Sequence, residues 1–173
     1  MSTAPLPHPD LVLGIDCSTT ASKAVAWDRA GTAVAEGRAP LTTQSPEPGW
    51  GEQDARTWWE ATLTAVRELG GRVSLDRIAA LCVTHQRETF VPLDAAGNPL
   101  RPAILWLDER SRDQLATLNR LVGHDRLHRL TGRPPSMTQS LPKLRWLVER
   151  EPEIAAKADA IVDTGAYLVS RLT

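Results

Sequence analysis

Asp16, Thr19, Thr20 and Lys23 lie together in the stretch Leu11-Val-Leu-Gly-Ile-Asp-Cys-Ser-Thr-Thr-Ala-Ser-Lys-Ala-Val-Ala-Trp-Asp28, a polar turn between two apolar runs. A turn of small residues lets backbone N–H groups approach phosphate oxygens, threonine hydroxyls add donors, and Lys23 brings positive charge. Asp16, at the end of the first run, can hold Mg2+ directly or through water. That is the chemistry of a phosphate and metal site. The same residues also suit an edge hairpin whose Ser and Thr side chains satisfy turn backbone and whose Asp16 merely ends a strand; the hairpin alone leaves both readings open. It is neither a G-x-x-x-x-G-K-[ST] loop nor a Rossmann fingerprint, since the turn leads into a strand and not a helix.

A second group follows another apolar run. Gln86, Arg87 and Glu88 place amide, guanidinium and carboxylate side by side, the mixture that holds a polyhydroxylated ligand whose hydroxyls both donate and accept. An exposed salt-bridge pair at a strand end is the alternative, and it stays open on these residues. The flat ring of Trp106 suits a sugar face or a core position equally.

The elements that must position these groups are strands and helices in alternation. Residues 11–15, 23–27 and 32–37 read as strands joined by the polar turn and by Asp28-Arg-Ala-Gly31, an antiparallel meander. An irregular loop over 40–53 carries Pro46, Pro48 and Gly49. Asp54 then suits the N-cap of a helix over 55–69 with Trp59, Leu63 and Val66 in its apolar stripe, stopped by Gly70-Gly71. A strand over 78–84 delivers the second polar group.

Beyond it, residues 103–107 are short and apolar, and Asp108 suits the cap of a helix carrying Leu115, Leu118 and Val122, ended by Gly123. A brief helix over 125–130 stops at Gly132, and Arg133-Pro-Pro-Ser136 forces an extended connection. Two helical stretches follow, the first with Leu144, Leu147 and Val148 on one face and the second starting near Pro152; a weak strand over 160–162 and a helix over 164–172 complete the chain. The expected class is α/β, an antiparallel meander forming one edge of a mixed sheet with flanking helices. Both polar groups then fall at strand ends, where open sheets bind ligands.

The 173 residues are 42% hydrophobic and include six Trp, enough for a core. Lys and Arg number 20 against 21 Asp and Glu, a formal charge of -1, so the chain has no sequence-wide footprint for nucleic acid. Cys17 and Cys82 lack metal-ligand spacing and read as buried thiols of a reducing compartment, which points to the cytoplasm. Residues 1–10 read as a disordered, Pro-rich tail, with no leader features and no run of membrane-spanning length in the chain.

Gly14-Ile-Asp-Cys-Ser-Thr-Thr-Ala-Ser-Lys23 resembles the first phosphate motif of the superfamily of actin, heat-shock ATPases and sugar kinases, G-I-D-x-G-T-x-x-x-[KR], with Ser18 where Gly is usual. Trp50-Gly-Glu-Gln-Asp54 with Trp58-Trp59 is similar to the W-x-E-Q-D-x-x-x-W-W signature of xylulokinases, and Arg101-Pro-Ala-Ile-Leu-Trp-Leu-Asp-Glu-Arg110 to their R-P-A-I-L-W-x-D-x-R segment. His85-Gln-Arg-Glu-Thr89 resembles instead the Q-R-E-T of glycerol kinases. Four stretches in the right order thus identify residues 11–173 as resembling the N-terminal segment of the FGGY carbohydrate kinases.

The resemblance implies an actin-like ATPase (ribonuclease H-like) domain, of which 11–173 is the incomplete N-terminal part, and ATP and Mg2+ as cofactors. It implies that Asp16 binds Mg2+ through water, that Thr19, Thr20 and Lys23 meet ATP phosphates, and that Arg87, Glu88, Trp106 and Asp108 face the sugar. Thr138 stands where glycerol kinases carry a substrate-binding Tyr, which favours D-xylulose or a similar ketopentose over glycerol. The partners implied are ATP and a small sugar or polyol, with neither nucleic acid nor membrane, and a homodimer of the full-length protein. The family's general base is an Asp of a later G-D motif, expected beyond Thr173, so the catalytic residue is unknown and these residues alone are expected to have weak or no kinase activity. A non-catalytic sugar-binding or interaction module is the reading from another class.

Overall fold

Alternating burial along the first two strands separates a core face from an outer one. β1 (Leu11–Cys17) buries Leu11, Leu13, Ile15 and Cys17, and β2 (Ala21–Trp27) buries Ser22, Ala24 and Ala26. The structure, a computed structural model, describes residues 9–173. Most of the expected disordered tail over 1–10 therefore lies outside the described residues. Asp10 is tied down: Arg77 Nε and Nη2 donate to its two carboxylate oxygens at 2.9 and 2.7 Å.

The expected meander is present. β2 pairs antiparallel with both β1 and β3 (Ala33–Pro40), and β5 (Ile78–His85) pairs parallel with β1, giving a mixed sheet of order β3-β2-β1-β5. The turn between β2 and β3 forms because Asp28 Oδ1 accepts from Ala30 N at 2.8 Å and Thr32 N at 2.9 Å. α1 (Ala55–Gly70) lays Ala65 and Leu69 against this sheet, completing a core with Leu11, Leu13, Ile15, Ala24, Ala26 and Ala35. A buried hydroxyl pair, Ser22 Oγ and Thr62 Oγ1 at 2.9 Å, adds a polar tie between β2 and α1.

These elements make one of two compact units, which holds 9–42, 56–85 and 168–173 of the described residues. The second spans 43–55 and 86–167. Its sheet has the order β4-β7-β6-β8, built from β4 (Glu52–Gln53), β6 (Phe90–Leu93), β7 (Ala103–Ile104) and β8 (Ala160–Asp163). Its helices are α2 (Arg112–Val122), α3 (His124–Thr131), α4 (Ser140–Arg150) and α5 (Pro152–Lys157); of α6 (Thr164–Leu172), residues 164–167 belong to this unit and 168–172 to the first. Phe90, Ile104, Trp146 and Leu147 form its core cluster.

Three local expectations change. The strands fall into two sheets, since β6 and β7 pair with each other and not with β5. Asp108 does not cap α2, whose N-cap position is Ser111, because its carboxylate is engaged inside the unit. Cys82 is exposed on β5, and only Cys17 is buried.

Burial, with the neighbouring Asp16 charge as the lesser cause, pushes the Cys17 thiol from 9.0 up to about 12. The unfolded thiol ionises near 9 while the folded one keeps its proton. The contribution to stability is therefore whole below pH 9 and is lost as pH rises towards 12. Under reducing conditions, urea unfolding between pH 9 and 11 is expected to show the wild type losing about 1 kcal/mol per pH unit more than Cys17→Ala.

Candidate functional site

The pairing of β1 with β2 sets Asp16 directly opposite Lys23. Both belong to the outer face, opposite the one that buries Ile15 and Ala24, so a carboxylate and an ammonium flank the mouth of the same turn. Ser18 closes that turn through two bonds, its N and its Oγ each donating to Ala21 O at 3.0 Å. Thr20 is exposed, Thr19 half-buried, and Thr20 O accepts from Leu41 N at 2.9 Å. Among the described residues the side chains of Asp16 and Lys23 make no hydrogen bond or ion pair with protein.

No group of three or more His, Cys, Asp and Glu able to hold a metal occurs among the described residues. A single outward carboxylate fits Mg2+, which keeps several waters and takes its remaining ligands from substrate phosphates. It does not fit a cation that needs an all-protein cage.

In the second unit, Arg87, Glu88, Trp106, Arg133 and Thr138 line an open pocket of 340 Å³. Three of the sequence-expected residues, Arg87, Glu88 and Trp106, are thus brought to one place. Trp106 is 40% exposed, and its N donates to Thr89 Oγ1 at 3.0 Å, which fixes its main chain beside the pocket. Arg87 is exposed and its guanidinium is unpaired among the described residues.

Glu88 has φ 61, the only positive φ outside glycine among the described residues, and such strain is held only where its surroundings over-determine it. Its Oε2 accepts from Ser140 N at 2.7 Å and Ser140 Oγ at 2.9 Å, placing the carboxylate on the first turn of α4, where a negative charge is favoured. Arg133 Nη1 donates to Oε1 at 3.2 Å.

Two expected residues face inward. Gln86 is buried, its amide donating to Gln53 Oε1 at 3.0 Å and accepting from Thr89 Oγ1 at 3.3 Å. It is therefore the middle of a relay, Gln53 to Gln86 to Thr89 to the Trp106 backbone, which ties down the main chain of Trp106 from inside the unit. Asp108 is fully buried: Oδ1 accepts from Arg110 N and Nε at 2.9 and 2.8 Å, and Oδ2 from Gly51 N and Arg110 Nη2 at 2.7 and 2.8 Å. Every acceptor direction has an internal donor, so this carboxylate is an internal clamp.

Sequence reasoning missed Arg133, Ser140 and Lys143. Lys143 carried a signal, since it shares a helix face with Trp146 and Leu147, both buried. It is itself fully buried, and its Nζ donates to Glu88 O at 2.7 Å, Leu105 O at 3.0 Å and Thr138 O at 3.2 Å. Arg133 and Ser140 carried none, because only the fold brings them to Glu88.

A strand–turn–strand hairpin leading a mixed β3-β2-β1-β5 sheet, followed by a second α/β unit, is the architecture of the actin-like ATPase class. Within it, residues 11–173 match the FGGY family of carbohydrate kinases, N-terminal domain, and the chain belongs to that family. It is 41% identical over 166 residues to a xylulose kinase of Streptomyces coelicolor, covering 94% of this chain and 34% of that protein. It is 38% identical over 154 residues to a glycerol kinase of Methylorubrum extorquens, covering 87% and 31%. The crystal structure of xylulose kinase from Rhodospirillum rubrum superposes with a TM-score of 0.87 at 31% identity, over 92% of this chain and 33% of that one. The chain spans about a third of the length of the relatives it matches.

Proposed function

We propose that this chain is the N-terminal domain of an ATP-dependent carbohydrate kinase of the cytoplasm, which transfers the γ-phosphate to a hydroxyl of D-xylulose or a similar ketopentose. The observation that carries this reading is the convergence of Arg87, Glu88 and Trp106 on one open pocket in a chain of this family. A guanidinium and a carboxylate side by side donate to and accept from neighbouring hydroxyls, and a half-exposed indole covers the apolar C–H face of a sugar. Thr138, in place of a bulkier residue, leaves room in the same pocket for a ketopentose.

In the hairpin, Thr19, Thr20 and the turn N–H groups would meet phosphate oxygens, and Lys23 would offset their charge. Asp16 would hold Mg2+ through water; bound there, the ion would neutralise charge on the transferring group. None of the residues named moves the substrate proton. They bind, orient and neutralise. Glycerol is the second reading, favoured by the Arg87–Glu88 pair and by the glycerol kinase relative.

Calorimetric titration of the chain with D-xylulose and with glycerol tests this. Saturable heat is expected with D-xylulose, weakened about tenfold or more by Glu88→Gln, which removes a charged acceptor. A chain that is folded by circular dichroism yet binds neither compound would overturn the assignment.

A further inference from the structure

We propose that Lys143 is a positioning residue of the sugar-facing pocket, one buried ammonium whose three hydrogens hold the Glu88, Leu105–Trp106 and Thr138 segments at their working separation; the part concerning sugar rests on the reading above. The three acceptors are backbone carbonyls, Glu88 O at 2.7 Å, Leu105 O at 3.0 Å and Thr138 O at 3.2 Å. They come from separate stretches of chain, and each is, or adjoins, a residue lining the pocket. An ammonium has three donors and no acceptor, so all of its hydrogen-bonding capacity goes into this junction.

The junction also accounts for the left-handed backbone of Glu88. A non-glycine residue at φ 61 is strained, and the Lys143 bond to its carbonyl, with the two Ser140 bonds to its carboxylate, holds it there. Lys143 thus fixes the direction in which the Glu88 carboxylate points, without itself meeting solvent or ligand.

Burial lowers the Lys143 pKa to about 8; Asp108 and Glu88 oppose this and Arg110 adds to it, these being the charged groups that face the ammonium. Above that pH the neutral amine has two hydrogens for three carbonyls, and its lone pair must face one of them. One wall is then released. Global stability moves the other way. The unfolded lysine keeps its proton up to 10.5 while the folded one gives it up near 8, so removing the buried charge adds stability as pH rises from 8. Loosening confined to the three pocket segments while global stability rises separates a positioning role from a general loss of structure.

The first test is hydrogen exchange at pH 7 on the wild type and on Lys143→Met. Protection is expected to fall together in 86–89, 104–107 and 136–140, with β1 and β2 unchanged. Unchanged protection in those segments, or an even loss across 86–167, overturns the proposal. Should Lys143→Met fail to fold, the wild type and Lys143→Arg, which stays charged, are titrated with D-xylulose from pH 7 to 9.5. Wild-type affinity is expected to fall about tenfold with a midpoint near 8, and that of Lys143→Arg to stay level. A level wild-type profile overturns the proposal. If the wild type binds no D-xylulose at pH 7, the kinase reading fails, and wild-type protection factors at pH 7 and 9 decide the role of Lys143: a fall confined to 86–89, 104–107 and 136–140 supports it, and no change there overturns it.

Discussion

Asp108→Ala is expected to lower the unfolding free energy by about 3–5 kcal/mol, because it strips a buried guanidinium of its main counter-charge. Arg110 has no exposed side-chain surface, and its guanidinium lies 3.8 Å from the Trp50 ring centroid and 4.8 Å from that of Trp146. Asp108 satisfies its Nε and one Nη2 hydrogen, and Glu52 accepts the other Nη2 bond at 2.8 Å. Removing Asp108 also leaves Gly51 N without its acceptor. Glu52 cannot compensate alone, since Arg101 shares the same Oε1 and is further engaged by Glu151 at 2.9 Å.

The check is a double-mutant cycle by urea unfolding with Arg110→Met. If Asp108 stabilises chiefly by neutralising Arg110, the double variant costs well under the sum of the two singles. A single-variant loss under about 1 kcal/mol would show that the charge was not desolvated as the burial indicates.

Asp108 also illustrates which part of the site was legible in the sequence. Residue type names a carboxylate; it does not say whether that carboxylate faces a ligand or an arginine. The W-x-E-Q-D and R-P-A-I-L-W-x-D-x-R stretches together build one internal network, with Glu52 meeting Arg101 and Arg110, and Asp108 meeting Gly51, across 49 to 58 residues of sequence. Such pairs leave no local periodicity. By contrast, the β1–β2 hairpin was readable because alternation and turn chemistry act over neighbours, and the same locality set Asp16 opposite Lys23. The division into two sheets was not readable, because β7 has only two residues and β6 is buried throughout, a pattern that suits either sheet. Lys143 lies between these cases: its spacing of three and four residues from Trp146 and Leu147 was a local signal that the reading of the sequence passed over, and which three carbonyls would meet it depended on the fold.

Gly37→Ala is expected to cost about 3 kcal/mol, a large effect for one methyl group, because the clash would be with backbone. A Cβ at Gly37 would stand 2.0 Å from Ala65 O, 2.8 Å from Leu69 N and 3.0 Å from Ala65 C, all main-chain atoms of α1. Side chains can rotate away; a hydrogen-bonded helix must move as a body. Moving α1 outward would open the core formed by Ala24, Ala35, Ala65 and Leu69, and would pull on the bond from Arg38 N to Glu68 Oε2 at 2.9 Å. Gly31→Ala supplies the contrast. Gly31 has φ +80 with open space around its Cβ, so that variant is expected to cost only the conformational strain of about 1 kcal/mol. Adding Ala65→Gly to Gly37→Ala separates the two kinds of clash. It deletes a side chain but leaves the carbonyl in place, so stability should drop by a further ~1 kcal/mol, the cost of glycine within a helix. Recovery in that double variant would mean that β3 meets the Ala65 methyl and not the helix backbone, and the close approach of β3 to α1 would be wrong.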